Sequence, residues 1–159
     1  MPMLEYTKTV DPDAHYIQAD AENLPIKDDV VDTTVAIGIL DYTRYQNSML
    51  EIQRTLKQGG GLHIVVPNLN NLFYKMENIY DRLIHRRNPK RKYSLRGLEM
   101  IMEYARLDIM EVWSAGNVTY APQIIQRMLL PLWRMLDKIW KPAQGRFPMG
   151  LSIYLRCVK

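Results

Sequence analysis

The stretch Tyr16-Ile17-Gln18-Ala19-Asp20-Ala21-Glu22-Asn23-Leu24-Pro25-Ile26 sets a carboxylate at the end of a short apolar segment and then turns sharply. Open α/β sheets bind nucleotides outside the carboxyl ends of their strands, where an acid can accept from a ligand donor. No glycine-rich, phosphate-cradling loop stands ahead of Asp20. The segment therefore reads as the middle of a nucleotide-binding sheet whose opening strand lies outside this chain. The other reactive side chains form no comparable pattern. His15, His63 and His85 have no spacing that gathers them on one helix face for a metal. There is no nucleophile elbow and no paired-carboxylate arrangement. Cys157 is alone, so it makes no internal disulfide and no thiolate metal site, and a reducing cytoplasm is the expected compartment.

The elements that must position Asp20 alternate between strand and helix. A helix is expected at Met3 to Thr9, a turn at Asp11-Pro12-Asp13, and a first strand from Tyr16 to Asp20. Lys27-Asp28-Asp29 is a turn. The β-branched run from Val30 to Leu40, with Val35, Ile37 and Ile39 on one face, predicts a strand covered on both sides. Ser48-Met49-Leu50-Glu51 has capping-box spacing for a helix running to Lys57 with Met49, Ile52 and Leu56 buried. Gly59-Gly60-Gly61 supplies its left-handed stop. Leu62 to Val66 is a third buried strand. Apolar residues at spacings of three and four predict a helix over Leu69 to Ile84, and Ser94 caps another that buries Leu95, Leu98, Ile101, Met102 and Ala105. Leu107 to Ser114 is a strand, Asn117 to Pro122 a loop, and Leu151 to Val158 a final strand with Leu151, Ile153, Leu155 and Cys157 inward. Strand alternating with helix implies right-handed crossovers and a largely parallel sheet.

With 159 residues, ordinary apolar and charged fractions and no composition break, residues 1–159 suit one globular domain. The net charge of +4 is modest and concentrates in His85-Arg86-Arg87-Asn88-Pro89-Lys90-Arg91-Lys92. That run reads as a solvated connector between helices, since no aromatic residue interleaves it and no nucleic-acid motif accompanies it. No secretory signal and no long apolar span occur. Residues 122–142 carry an apolar stripe of Ile125, Met128, Leu129, Leu132, Leu136, Ile139 and Trp140 opposite Arg127, Arg134, Lys138 and Lys141, with Pro131 to kink it. The segment is either a helix packed on the sheet or a lid over an apolar substrate or membrane surface.

Four passages in register resemble the class I S-adenosylmethionine-dependent methyltransferases that act on small molecules, lipids and quinones. They are Tyr16 to Pro25, Val31-Asp32-Thr33-Thr34-Val35-Ala36-Ile37-Gly38-Ile39-Leu40, Leu50-Glu51-Ile52-Gln53-Arg54-Thr55-Leu56-Lys57-Gln58-Gly59-Gly60, and Leu62-His63-Ile64-Val65-Val66-Pro67-Asn68. The match is close over Met3 to Asn68. The resemblance implies an incomplete Rossmann-like α/β fold, mostly parallel with an antiparallel final strand, carrying a helical insertion at about 122–142. It implies S-adenosylmethionine as cofactor, with Asp20 accepting from the adenine amino group, the Ala21 amide donating to a ring nitrogen, and Ile37, Gly38 and Ile39 lining the strand end.

Two departures from the family pattern stand out. The glycine-rich first strand and the second strand with its ribose-binding acid are not in this sequence, and Met3 to Lys8 resembles the helix after that second strand, so the resemblance implies that about 40 to 60 residues of the family's domain would precede this sequence. Tyr42, after Asp41, stands where many relatives carry a histidine. In the family's sheet the missing strands lie between Tyr16–Ala19 and Val31–Ile39. A single chain is therefore expected to pair Tyr16–Ala19 directly beside Val31–Ile39, with an open edge that invites a complementing N-terminal chain or a second copy. The function implied is the C-terminal portion of a methyltransferase for a small-molecule or lipid acceptor, weakly active or inactive alone, cytoplasmic or peripheral to a membrane. The alternative is a non-catalytic interaction or membrane-surface module; nucleic acid is not favoured and no metal is expected.

Overall fold

The computed structural model of the chain describes residues 2–71, 91–115, 135 and 152–159. Among them α1 (Pro2–Val10) is followed by β1 (Val31–Ile37), a 3-10 turn (Ile39–Asp41), α2 (Tyr45–Thr55), β2 (Leu56–Pro67), α3 (Leu95–Tyr104), β3 (Asp108–Ala115) and β4 (Ser152–Val158). The strands form one sheet in the order β1-β2-β4-β3. β1 pairs parallel with β2, while β4 runs antiparallel to both β2 and β3. Three strands thus share a direction and the last opposes them, which is the mixed α/β sheet expected from the sequence.

One face of this sheet carries the core. In register across it, Ala36, Ile64 and Leu155 form one buried row, and Leu62 and Cys157 form the next. Met49 and Ile52 of α2 and Leu98, Ile101 and Met102 of α3 close over these rows. Ser94 caps α3 as expected, its Oγ accepting from the Gly97 amide at 3.1 Å. Burial pushes the Cys157 thiol up to about 11, so it stays a neutral core residue. The opposite face is different. Ile37 is paired with Val65, Val65 with Tyr154 and Tyr154 with Trp113, a row of apolar and aromatic side chains pointing away from the core. Trp113 and Tyr154 stack with ring centroids 5.7 Å apart. Val35 is 63% exposed and Ile37 72% exposed.

β1 lies at an edge of the sheet. The Gly38 amide donates to the Val65 carbonyl at 3.1 Å. Strand backbones alternate, so Thr33, Val35 and Ile37 turn their N–H and C=O groups to the other side, where no strand lies among the described residues. The expected double coverage of Val30 to Leu40 is therefore corrected: the strand stops at Ile37, and Thr33, Val35 and Ile37 on one face are exposed.

Four further expectations change. Residues 15–19 form no strand, and Asp20 makes only an isolated bridge to Asn23. A strand needs a ladder partner for its backbone groups, and Tyr16–Ala19 does not pair with β1, so Ile17 stays exposed. The capping box does not form either. α2 begins at Tyr45, three residues before Ser48, which is buried inside the helix and bonds the Arg44 carbonyl. The helix ends at Thr55 and Leu56 is already extended. Gly59–Gly61 consequently lies inside β2, where the pairing slips from Val31↔Leu56 to Thr33↔Gly61. Gly59 is left-handed (φ 77°), and a Cβ on Gly60 would meet the Lys57 carbonyl at 2.8 Å. The glycines make a bulge rather than a helix stop. The expected helix over Leu69 to Ile84, most of the basic run, the Asn117–Pro122 loop and the stripe at 122–142 lie outside the described residues, apart from Leu69–Asn71, Arg91, Lys92 and Met135.

Urea unfolding of three variants checks this architecture. Gly60→Ala should lower stability by about 1–3 kcal/mol, because the crowding atoms are backbone and cannot move aside. Leu155→Ala should cost about 2–5 kcal/mol. Ile37→Ser, on the bare face, should change stability by less than about 0.5 kcal/mol.

Candidate cofactor site

The carboxyl end of β1 is shaped by one glycine. Gly38 adopts φ 66° and ψ 10°, and the space its side chain would fill is open. That left-handed residue tips the chain out of the sheet into the 3-10 turn, where the Ile39 carbonyl accepts from Tyr42 N and from Thr43 Oγ1. Leu40 is fully buried beneath the turn. The buried Tyr93 hydroxyl donates to the Leu40 carbonyl at 2.7 Å, and Arg91 Nη1 donates to the Thr43 carbonyl at 2.8 Å. Burial raises the Tyr93 phenol above its ordinary value and keeps it a donor. The β1–α2 connection is thus fixed from the residues just before α3.

The Asp20 turn is held against α2. Asp20 Oδ1 accepts from Glu22 N at 2.9 Å, and the Asp20 carbonyl accepts from Asn23 N at 3.0 Å. These bonds close the turn on itself. Glu22 then reaches the start of α2, its Oε1 accepting from Arg44 N at 2.7 Å and its Oε2 from Asn47 Nδ2 at 3.0 Å. A carboxylate is favoured there by the helix dipole, and it substitutes for the side-chain cap that Arg44 cannot supply. One turn further along, Glu51 Oε2 accepts from Leu24 N at 2.8 Å. Hydrogen bonds from Arg54, with the Leu24 amide and the Arg54 charge adding to them, hold the Glu51 carboxyl below its ordinary value. Glu51 is therefore charged at neutral pH and loses that charge only in acid.

These contacts settle where the expected site residues lie. Gly38 leads through Ile39–Asp41 into α2, and Glu22 binds the residue that opens α2, so Asp20 and Ala21 share the α2 N-terminal end of the fold with Ile37, Gly38 and Ile39. Asp20 and Ile37 are exposed, while Ala21, Gly38 and Ile39 are half-buried. Among the described residues Asp20 Oδ2 and the Ala21 amide make no hydrogen bond. One free acceptor and one free donor therefore stand on adjacent residues of this turn. Tyr42, at the position read as a departure, is 78% exposed on the same connection. The residues that sequence reasoning missed are Glu22, Glu51, Arg54, Arg91 and Tyr93. Their partners lie far along the chain, so local spacing does not reveal them; Glu51 was in view only as a cap for its own helix.

The sequence over residues 1–64 matches the family model described as a methyltransferase domain. An uncharacterized protein of Methanocaldococcus jannaschii is 25% identical over 124 residues, which are 77% of this chain and 52% of that protein. The ubiquinone/menaquinone biosynthesis C-methyltransferase of Blochmanniella pennsylvanica is 39% identical over 70 residues, 42% of this chain and 26% of that enzyme. The chain thus spans about half the length of the first of these relatives and about a quarter of the second. Among solved structures, a SAM-dependent methyltransferase from Thermotoga maritima superposes with a TM-score of 0.60 at 17% identity, over 90% of this chain and 62% of its own. The first 64 residues are thus similar to a methyltransferase domain, and the fold is similar to that of solved SAM-dependent methyltransferases.

Proposed function

We propose that this chain is the C-terminal portion of an S-adenosylmethionine-dependent methyltransferase, that it supplies the adenine side of the cofactor site, and that methyl transfer requires further strands beside β1. The observation that carries this reading is the state of β1: open along its outer edge and bare on one face at Val35 and Ile37. Near-continuous apolar strands belong inside a sheet with both faces covered. A strand of that composition left open on one side is suited to a neighbour on that side.

The free groups of the turn fit the cofactor. Adenine presents an amino donor next to a ring-nitrogen acceptor, and Asp20 Oδ2 beside the Ala21 amide offers the reverse pair. Ile37, Gly38 and Ile39 would flank the ring, with the open space at Gly38 letting a ligand approach the backbone. When bound, the cofactor supplies a methyl group on a sulfonium. This chain's part is to hold and orient its base, because in-line displacement draws much of its rate from positioning and exclusion of water. No described residue stands where ribose or methionine contacts would come from in the family pattern. Those contacts are assigned to the strands beside β1, whether they come from preceding chain, a separate chain or a second copy. A small-molecule or lipid acceptor in the cytoplasm or at a membrane surface is the substrate class, supported by the similarity to the quinone-pathway C-methyltransferase. A second reading, a non-catalytic module that docks a partner, is favoured by the exposed Ile37–Val65–Tyr154–Trp113 row.

Isotope-edited NMR of the full chain separates these readings. Adenosine at millimolar concentration should shift the Ala21 and Gly38 amides, and Asp20→Ala should abolish the shifts. Calorimetry with S-adenosylmethionine and this chain alone should show no micromolar binding. Micromolar affinity would overturn the need for added strands, and absence of any adenosine shift in the wild type would favour the docking module.

A further inference from the structure

We infer that Arg54 and Glu51 form a positioning clamp that presents the Asp20–Ala21 turn to the base, a role that rests on the adenine reading above. The clamp is built from one turn of α2 and grips main chain rather than core. Glu51 Oε2 takes the Leu24 amide at 2.8 Å, and Arg54 Nη2 gives to the Leu24 carbonyl at 3.1 Å. Both backbone groups of Leu24 are thus held by side chains, much as a neighbouring strand would hold them. Arg54 Nη1 also donates to the Ile26 carbonyl at 2.8 Å and contacts the Asp28 carboxylate. The guanidinium is fixed in turn by Glu51, with Nε on Oε1 at 2.9 Å and Nη2 on Oε2 at 2.7 Å.

Among the described residues no hydrogen bond joins the segment before Asp20 to α2 or to the sheet. Tyr16 bonds the carbonyls of Thr7 and Asp11, both within the same leading segment, and residues 5–15 are exposed throughout. The position of Asp20 and Ala21 is therefore set from their C-terminal side, by Glu22 on the start of α2 and by Leu24 and Ile26 on the Glu51–Arg54 pair. The opposite face of α2 carries Met49 and Ile52 into the core, so loosening the clamp leaves the helix seated. Arginine is needed rather than lysine. Its rigid, planar fork of five N–H groups can address Leu24, Ile26, Glu51 and Asp28 together, whereas an ammonium is a point charge with three donors.

The test uses the full chain with Arg54→Lys, Glu51→Gln and, as a control, Asp28→Asn, which removes only the exposed partner and leaves both bonds to Leu24. Amide exchange at Leu24 should rise about tenfold in Arg54→Lys and Glu51→Gln, the scale of one lost hydrogen bond, with Ile52 and Leu155 unchanged. The adenosine concentration that half-shifts the Ala21 amide should rise about tenfold in the same two variants, and Asp28→Asn should match the wild type in both. Glu51→Gln keeps the test readable if Arg54→Lys fails to fold. A wild-type adenosine response that survives in the variants overturns the clamp, as does unchanged exchange at Leu24. A wild type that shows no response at Ala21 instead overturns the adenine reading on which the clamp rests.

Discussion

Among the described residues strand β1 has a paired strand on one side only, and most of the chain's distinguishing features stem from that. Ala36 is buried in the core, while Thr33, Val35 and Ile37 have exposed side chains and, among the described residues, no strand partner for their backbone groups. A surface strand in a finished domain is usually protected by charge, proline or a bulge away from its edge. β1 has Asp32 tied to Lys57 at 2.7 Å at its start and nothing of the kind at Val35 and Ile37. The bulge at Gly59–Gly60 protects the N-terminal end of the pair, and the carboxyl end of β1 is the bare one. The asymmetry places the apolar opening at the end of β1 that leads through Gly38 into α2.

Among the described residues no strand lies beside Tyr16–Ala19, and α2 is what holds the Asp20 turn. Three carboxylates and one guanidinium do the work: Asp20 on its own turn, Glu22 on the helix start, Glu51 and Arg54 on Leu24 and Ile26. Each is partly solvated, so none needs to overcome the full cost of a buried ion. The result is a turn anchored to the half of the fold that is packed, independent of the edge that is not.

Much of the architecture was legible in the sequence where periodicity and burial agree. The inward alternation of Ile153, Leu155 and Cys157, the Ser94 cap and the parallel β1–α2–β2 order all appear as read. Misreadings arose where a local signal competed with a distant partner. Ser48 and Glu51 have the spacing of a cap, yet Glu51 is drawn to Leu24 and Arg54 while Glu22 caps the helix from outside. Three successive glycines suggest a helix stop, but Leu56 already pairs with Val31, so the same left-handed freedom is spent on a bulge. Tyr16–Ala19 has strand composition and no strand beside it. Of the site, Asp20, Ala21 and Gly38 were visible as motif positions; the residues that hold them were not, because hydrogen bonds between side chains and distant main chain leave no periodic trace.

The order of these supports bears on how a cofactor would be taken up. A turn that is already ordered by α2 does not have to be immobilised when a ligand arrives, and that saving strengthens binding without adding a contact. The strands assigned beside β1 would then meet a half-site whose base-reading groups are in place, and their docking would complete the ribose and methionine contacts rather than build the whole pocket. On the proposed reading, affinity for the base and affinity for the rest of the cofactor would be separable properties, one set by Glu22, Glu51 and Arg54 within this chain and the other by the strands proposed beside β1. The two would meet near Gly38, where the absence of a side chain leaves the backbone open to approach.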